Sequence, residues 1–189
     1  KLLEPFPVGD VSAGWGFGAP KTMNTMIEAM RVTFADRAVW MGDSDFVPVP
    51  ERGLLSECFL ATRRVLIDPL SRMSTPLAGD PNPCNIAAID SDTKLALAPL
   101  DEEKGIHTTH FSVVDKWGNM VSYTTTIEST WGTGIMVPGY GFLLNNELTD
   151  FNFTPQYDAA TGNPGANDVA PFKRPRSSMS PSMLFKNGK

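Results

Sequence analysis

Apolar side chains recur at helical spacing between residues 22 and 41, where Met23, Met26, Ile27, Met30, Phe34 and Met41 fall on one stripe. The spacing predicts a helix closed by Gly42, with the methionine stripe packed into a core rather than lining a cofactor site. A second helix is predicted over 56–68, with Ser56 as N-cap and Pro69 just past its end. Its Arg63 and Arg64 read as a solvated face. From 71 to 105 the periodicity is lost. Pro76, Pro81, Pro83, Pro99 and the acidic run Asp101-Glu102-Glu103 mark a long loop or linker, a kind of segment that is often functional.

The period then changes to two. Residues 108–114 and 120–127 are β-rich and flank Asp115-Lys116-Trp117-Gly118-Asn119, which predicts a hairpin. Pairing Val114 with Met120 sets Thr108 opposite Thr126, His110 opposite Thr124 and Ser112 opposite Ser122. The other face then pairs Thr109 with Thr125, Phe111 with Tyr123 and Val113 with Val121. One face is mostly hydroxyl-bearing and the other mostly apolar. A slip of one residue would scramble that sorting, so the sorting supports the register.

Composition narrows the class. The chain has 189 residues, 41% hydrophobic and 20% charged, with net charge −5, a globular rather than disordered profile. A pI near 5.0 argues against nucleic acid as a partner. No run of about 18 apolar residues predicts a membrane span, and none reads as a signal peptide. Cys58 and Cys84 are too few for a disulfide framework and leave the redox compartment and their pairing open. Charge is uneven: residues 1–107 carry 15 acidic and 10 basic side chains, net −5, and residues 108–189 carry 6 and 6. A boundary is expected at 107/108. The chain opens without Met in a Gly/Pro-rich stretch. It closes on a strand-like run, 182–185, followed by the turn pair Asn187-Gly188, so a piece of a longer protein is expected.

The string HTTHFSVVD at 107–115 resembles the processing site of the γ-glutamyltranspeptidase family. MGDSDFVPVPERGLLS (41–56), GTGIMVPGYGFLLNNELTDFNF (132–153) and KRPRSSMSPSMLF (173–185) resemble further stretches of that family, in the family's order. The resemblance implies an N-terminal-nucleophile hydrolase: an α+β fold, here part of an αββα four-layer sandwich, made as a precursor that cuts itself between His107 and Thr108. Residues 1–107 would be the C-terminal part of a large subunit and 108–189 the N-terminal part of a small, catalytic one. A threonine hydroxyl is a weak nucleophile that needs an adjacent base. Once Thr108 is a first residue, its own α-amino group, with a pKa near ~7.7–8, can take that proton. A mid-chain threonine has only an amide there, so cleavage makes the catalyst.

The resemblance also assigns partners to the nucleophile. Thr126 matches the threonine that hydrogen-bonds it, and the hairpin register independently sets Thr126 across from Thr108. Glu128, Glu147 and Asp150 match positions that bind the α-ammonium of a γ-glutamyl donor. Glu128 would share the Thr126 face if the strand continues. Some members carry Asn and Gln at the positions of Glu128 and Glu147. Ser177 and Ser178 match serines that bind the donor carboxylate. A glycine pair for the oxyanion is expected beyond Lys189 and a carboxylate-binding arginine before Lys1, so this stretch alone is expected to be inactive. Residues 155–171 fall where some members have a lid, at comparable length but with different sequence.

The expected activity is γ-glutamyl transfer or hydrolysis of glutathione-like compounds through a γ-glutamyl-threonine intermediate. The acceptor is an amino acid, a peptide or water, and a periplasmic or extracellular location is expected from the family. No cofactor or metal is expected: His107 and His110, three apart on a strand, point to opposite faces. The alternatives are an acylase on the same scaffold, taking glutaryl side chains or poly-γ-glutamate, and a non-catalytic, unprocessed homologue.

Overall fold

The computed structural model describes residues 1–84 and 108–186. They form two compact units, one of residues 1–84 and 154–174, the other of 108–153 and 175–186. The predicted cleavage bond's His107 and most of the linker lie outside the described residues.

The first unit is helical: α1 (Pro20–Trp40), α2 (Glu51–Leu54) and α3 (Glu57–Arg64), followed by a 3₁₀ turn at Asn82–Cys84. Helix α1 starts two residues before the expected point because proline is well suited to a first helical turn. Its methionine stripe does not pack into the core. Met23, Met26, Ile27 and Met30 are exposed, and Val32, Ala29, Val39 and Trp40 are buried instead. The physical reason lies in two acidic residues that share the buried face. Glu28 is 1% exposed, holds the Arg31 guanidinium at 2.8 Å and accepts the Met73 N–H at 3.2 Å. Asp36 holds Arg63 at 3.0 Å and accepts the Gly79 N–H at 2.8 Å. Turning the methionines inward would strand both carboxylates.

Arg63 is therefore buried rather than solvated. It bonds Asp36 and the Leu77 carbonyl, and its guanidinium lies over the Phe59 ring. Arg64 pairs with Glu57 and donates to the Lys1 carbonyl. Ser56 caps α3 as expected, accepting the Phe59 N–H at 3.1 Å, but the helix stops at Arg64, four residues short of the predicted end. Gly42 does not act as a left-handed helix stop. The Ala166 carbonyl approaches so closely that a Cβ on Gly42 would lie 1.9 Å from its oxygen. Residues 154–174 pack into this unit, with Ala166 and Asn167 buried, and Asp168 accepts the Gln156 and Tyr157 N–H groups. Cys58 and Cys84 form a disulfide with Cα atoms 5.7 Å apart.

The second unit is built on a hairpin of β1 (Thr108–Val114) and β2 (Met120–Thr126) in the expected register, Thr108 opposite Thr126 through Val114 opposite Met120. Asp115 fixes the turn: its carboxylate accepts the Trp117 and Asn119 N–H groups at 2.9 Å each, and Gly118 supplies the left-handed residue at φ 88°. Segment 182–185, expected as a strand, is irregular; the Ser182 carbonyl accepts the Ser122 hydroxyl at 3.1 Å.

Candidate active site

The hairpin register places two hydroxyls together at its open end. The Thr108 hydroxyl donates to Thr126 Oγ1 at 3.2 Å, and Thr126 Oγ1 also accepts the Glu128 N–H at 2.9 Å. A nucleophile candidate, its cross-strand partner and the first acidic residue are thus linked in one chain of hydrogen bonds. His110, two residues along the same face, is engaged elsewhere: Nδ1 lies 2.7 Å from Thr124 Oγ1 and Nε2 lies 3.3 Å from Ser112 Oγ.

Glu128 is not reached by continuing the strand. β2 ends at Thr126, and Glu128 takes a left-handed backbone at φ 70°, which a non-glycine residue rarely adopts. The following loop comes straight back. The Thr133 N–H donates to the Leu144 carbonyl at 3.0 Å, Val137 to Phe142 at 2.9 Å, and Asn146 to Ile127 at 3.2 Å. Gly132 permits this return, since a Cβ there would lie 2.0 Å from the Leu144 oxygen.

The return delivers the 3₁₀ turn Glu147–Asp150, and with it the other two acidic candidates, to the end of β2. The three carboxylates sense one another. Burial first, then the Asp150 charge and a side-chain hydrogen bond with Asp150, and last the Glu128 charge, push the Glu147 carboxyl up to about 7. Its Oε1 is buried and has no hydrogen-bond partner. A site with clustered negative charge and an unsatisfied acceptor suits a cation that can donate hydrogen bonds.

Ser177 and Ser178 belong to the same unit, on the irregular segment 175–186, where Ser177 Oγ accepts the Met179 N–H at 3.1 Å. Within the first unit, Arg174 forks onto Asp43, with Nε and Nη2 at 2.9 and 2.6 Å. Its backbone N–H joins them at 2.9 Å. Asp43 is held well below the usual carboxylate range by these bonds. Two stretches singled out in the sequence, GDSDF and KRPR, are thereby tied together. Among the described residues no three His, Cys, Asp or Glu side chains are arranged to hold a metal ion.

Two further residues belong to this site that sequence reasoning did not find. Asn146 donates from Nδ2 to the Glu128 carboxylate, and Ser129 donates its hydroxyl to the same oxygen at 2.6 Å. The available signal was the doubled Asn145-Asn146 ahead of an acidic turn, where one asparagine suffices to start the turn.

Known proteins align with nearly the whole chain. A family model described as Gamma-glutamyltranspeptidase matches residues 2–189. The chain is 49% identical over 164 residues, 87% of its length, to the glutathione hydrolase proenzyme of Bacillus subtilis strain 168. It is 39% identical over 178 residues, 93% of its length, to the glutathione hydrolase proenzyme of Escherichia coli strain K12. It is also 32% identical over 189 residues, 100% of its length, to a protein named Acylase ACY 1 proenzyme from Pseudomonas sp. strain SE83. The aligned stretches cover 26%, 28% and 28% of these relatives, so the chain spans about a quarter of their length.

Proposed function

The chain belongs to the gamma-glutamyltranspeptidase family, and from that membership we propose that its gene product hydrolyses or transfers the γ-glutamyl group of glutathione-like donors. The observation that carries the proposal is the continuous path from the Thr108 hydroxyl through Thr126 to Glu128, ending beside a Glu147 carboxyl with an unpartnered oxygen.

The mechanism starts with cleavage at His107–Thr108, which yields a large and a small subunit within an αββα sandwich. The freed Thr108 amine accepts the hydroxyl proton while Oγ1 attacks the donor γ-carbonyl. Before attack, Thr126 accepts the hydrogen bond of that hydroxyl and holds its rotamer; as the proton passes to the amine, the Thr126 hydroxyl turns to donate to Oγ1. The tetrahedral intermediate collapses to a γ-glutamyl-threonine ester as the amine returns its proton to the leaving amide nitrogen. Water or an acceptor amine then attacks the ester, and the Thr108 amine again handles the proton. His110 has its own partners on the strand, which supports the amine as base.

Donor recognition follows from charge. The α-ammonium donates to Glu128, Glu147 and Asp150, supplying the bond that Glu147 Oε1 lacks. The α-carboxylate goes to Ser177 and Ser178. The name of the Pseudomonas relative keeps an acylase as the second reading, but an acyl donor without an α-ammonium would leave three carboxylates uncompensated. The Cys58–Cys84 disulfide supports an oxidising location, periplasmic or extracellular.

Thr108→Ala in the whole gene product is the test. One uncut chain with no γ-glutamyl turnover is expected on a denaturing gel with N-terminal sequencing. Cleavage of that variant at the same bond, or a wild type that stays whole, would overturn the proposal.

A further inference from the structure

Glu128 is an unusual place for a ligand-binding carboxylate. Its backbone is left-handed, at φ 70°, and it lies past the end of the strand that precedes it. Something has to hold it. Asn146 meets the three residues around it from both its backbone and its side chain. Its N–H donates to the Ile127 carbonyl at 3.2 Å, its Oδ1 accepts the Ser129 N–H at 3.0 Å, and its Nδ2 donates to Glu128 Oε2. Nδ2 also reaches Ser129 Oγ at 3.1 Å, and that hydroxyl donates to the same Glu128 oxygen.

The side chain of Asn146 is free for this because it does not do its expected local job. Asn146 occupies the cap position of the turn Glu147–Asp150, yet its side chain makes no capping hydrogen bond. Asn145 takes that role, its Oδ1 accepting the Glu147 N–H at 3.0 Å. The amide of Asn146 is left to bridge the Glu128–Ser129 corner and the start of the acidic turn.

We propose that Asn146, with Ser129, is the positioning residue that aims the Glu128 carboxylate and so sets the preference for donors carrying a free α-ammonium. The proposal rests on the assignment of Glu128 to the ammonium site. Asn146 does not touch the donor. It acts through Glu128, by fixing the left-handed corner and by occupying one carboxylate oxygen so that the other faces the ligand. The preference it sets is for an amino-bearing γ-glutamyl group over the same acyl chain without the amine.

The experiment compares a γ-glutamyl anilide with a glutaryl anilide, using the whole processed gene product and rates normalised to the amount of small subunit. For Asn146→Ala, KM for the γ-glutamyl donor is expected to rise about tenfold, with kcat and the glutaryl donor changing by less than about threefold. Ser129→Ala removes only one hydroxyl from Glu128 and should give the same selectivity at smaller size, which covers a poorly folding Asn146 variant. In a Glu128→Ala background, Asn146→Ala should add less than about twofold, since a residue acting through another has nothing left to act on. Equal losses on both donors, or full additivity with Glu128→Ala, would overturn the positioning role. Glu128→Ala alone separates the two levels. If it spares neither donor, the ammonium-site assignment falls and this inference falls with it. If it is selective while Asn146→Ala and Ser129→Ala are not, the positioning role alone is wrong.

Discussion

The two units spend their polar groups differently. In the first, charged side chains are buried and paired. Glu28 with Arg31 and Asp36 with Arg63 sit among Ala29, Val32, Val39 and Phe59, and a disulfide closes the end of the unit. In the second, Glu128 and the acidic turn Glu147–Asp150 gather past the open end of a two-stranded hairpin. Phe111 and Tyr123, on its apolar face, are 45% and 50% exposed. A buried pair constrains the fold because losing one partner strands the other charge. Like charges gathered at a strand end oppose folding and leave interaction energy for a ligand. Under the proposed function, the first unit carries stability and the second carries chemistry.

That division can be broken by experiment. The largest effect is expected for Arg63→Ala. It leaves Asp36 buried without its partner, so the unit should lose ~3–5 kcal/mol. Urea unfolding of the whole gene product measures it, and kcat/KM per folded molecule should not change. A shift in donor preference would show that the units are not separable in this way.

Removing the disulfide comes next. Cys58→Ser with Cys84→Ser should reduce stability by ~2–4 kcal/mol, by freeing a loop of 26 residues in the unfolded chain. Added reductant should lower the Tm of the wild type to that of the double variant and leave the double variant unmoved.

In the second unit, Asp150→Ala should lose a charge-assisted contact worth ~1.5–3 kcal/mol, at least about tenfold in kcat/KM for a γ-glutamyl anilide. A donor lacking the α-amino group should be far less affected. Equal losses on the two donors would remove Asp150 from the ammonium site.

The smallest effect is a pH dependence. The Glu147 carboxyl is raised from 4.5 to about 7, so the folded state holds a proton that the unfolded state releases. The stability it contributes is present below about 4.5 and is lost as pH rises through about 7. Donor affinity runs the other way, because an ammonium favours the ionised form, so KM should fall over the same interval. Glu147→Gln should flatten both trends. Glu128, Asp150, His110 and the freed Thr108 amine also face this region, so the check is the difference between wild-type and Gln profiles rather than either alone. Identical profiles would refute the assignment.

The hairpin and its two threonines were legible in advance for a local reason. A period-two pattern closed by a five-residue turn has few registers, and only one sorts hydroxyls from apolar groups. Ser56 as a helix cap was legible for the same reason, since it needs only its own next turn. Arg63 and the methionine stripe were misread because α1 offers two candidate faces. Spacing does not reveal which one meets partners far away in the chain, such as Arg63 for Asp36.

The sequence by itself determined the family, the strand register that sets Thr108 against Thr126, and the identities of the acidic residues around them. Tertiary structure decided which face of α1 is buried, that Cys58 meets Cys84, and how Glu128 is held. Each of these depends on groups brought close by chain folding. Asn146 reaches Glu128 across 18 positions, through a loop whose return requires Gly132 and whose corner requires a left-handed glutamate. Short-range periodicity carries no information about such contacts, because their energy comes from hydrogen bonds that exist only after the loop has closed.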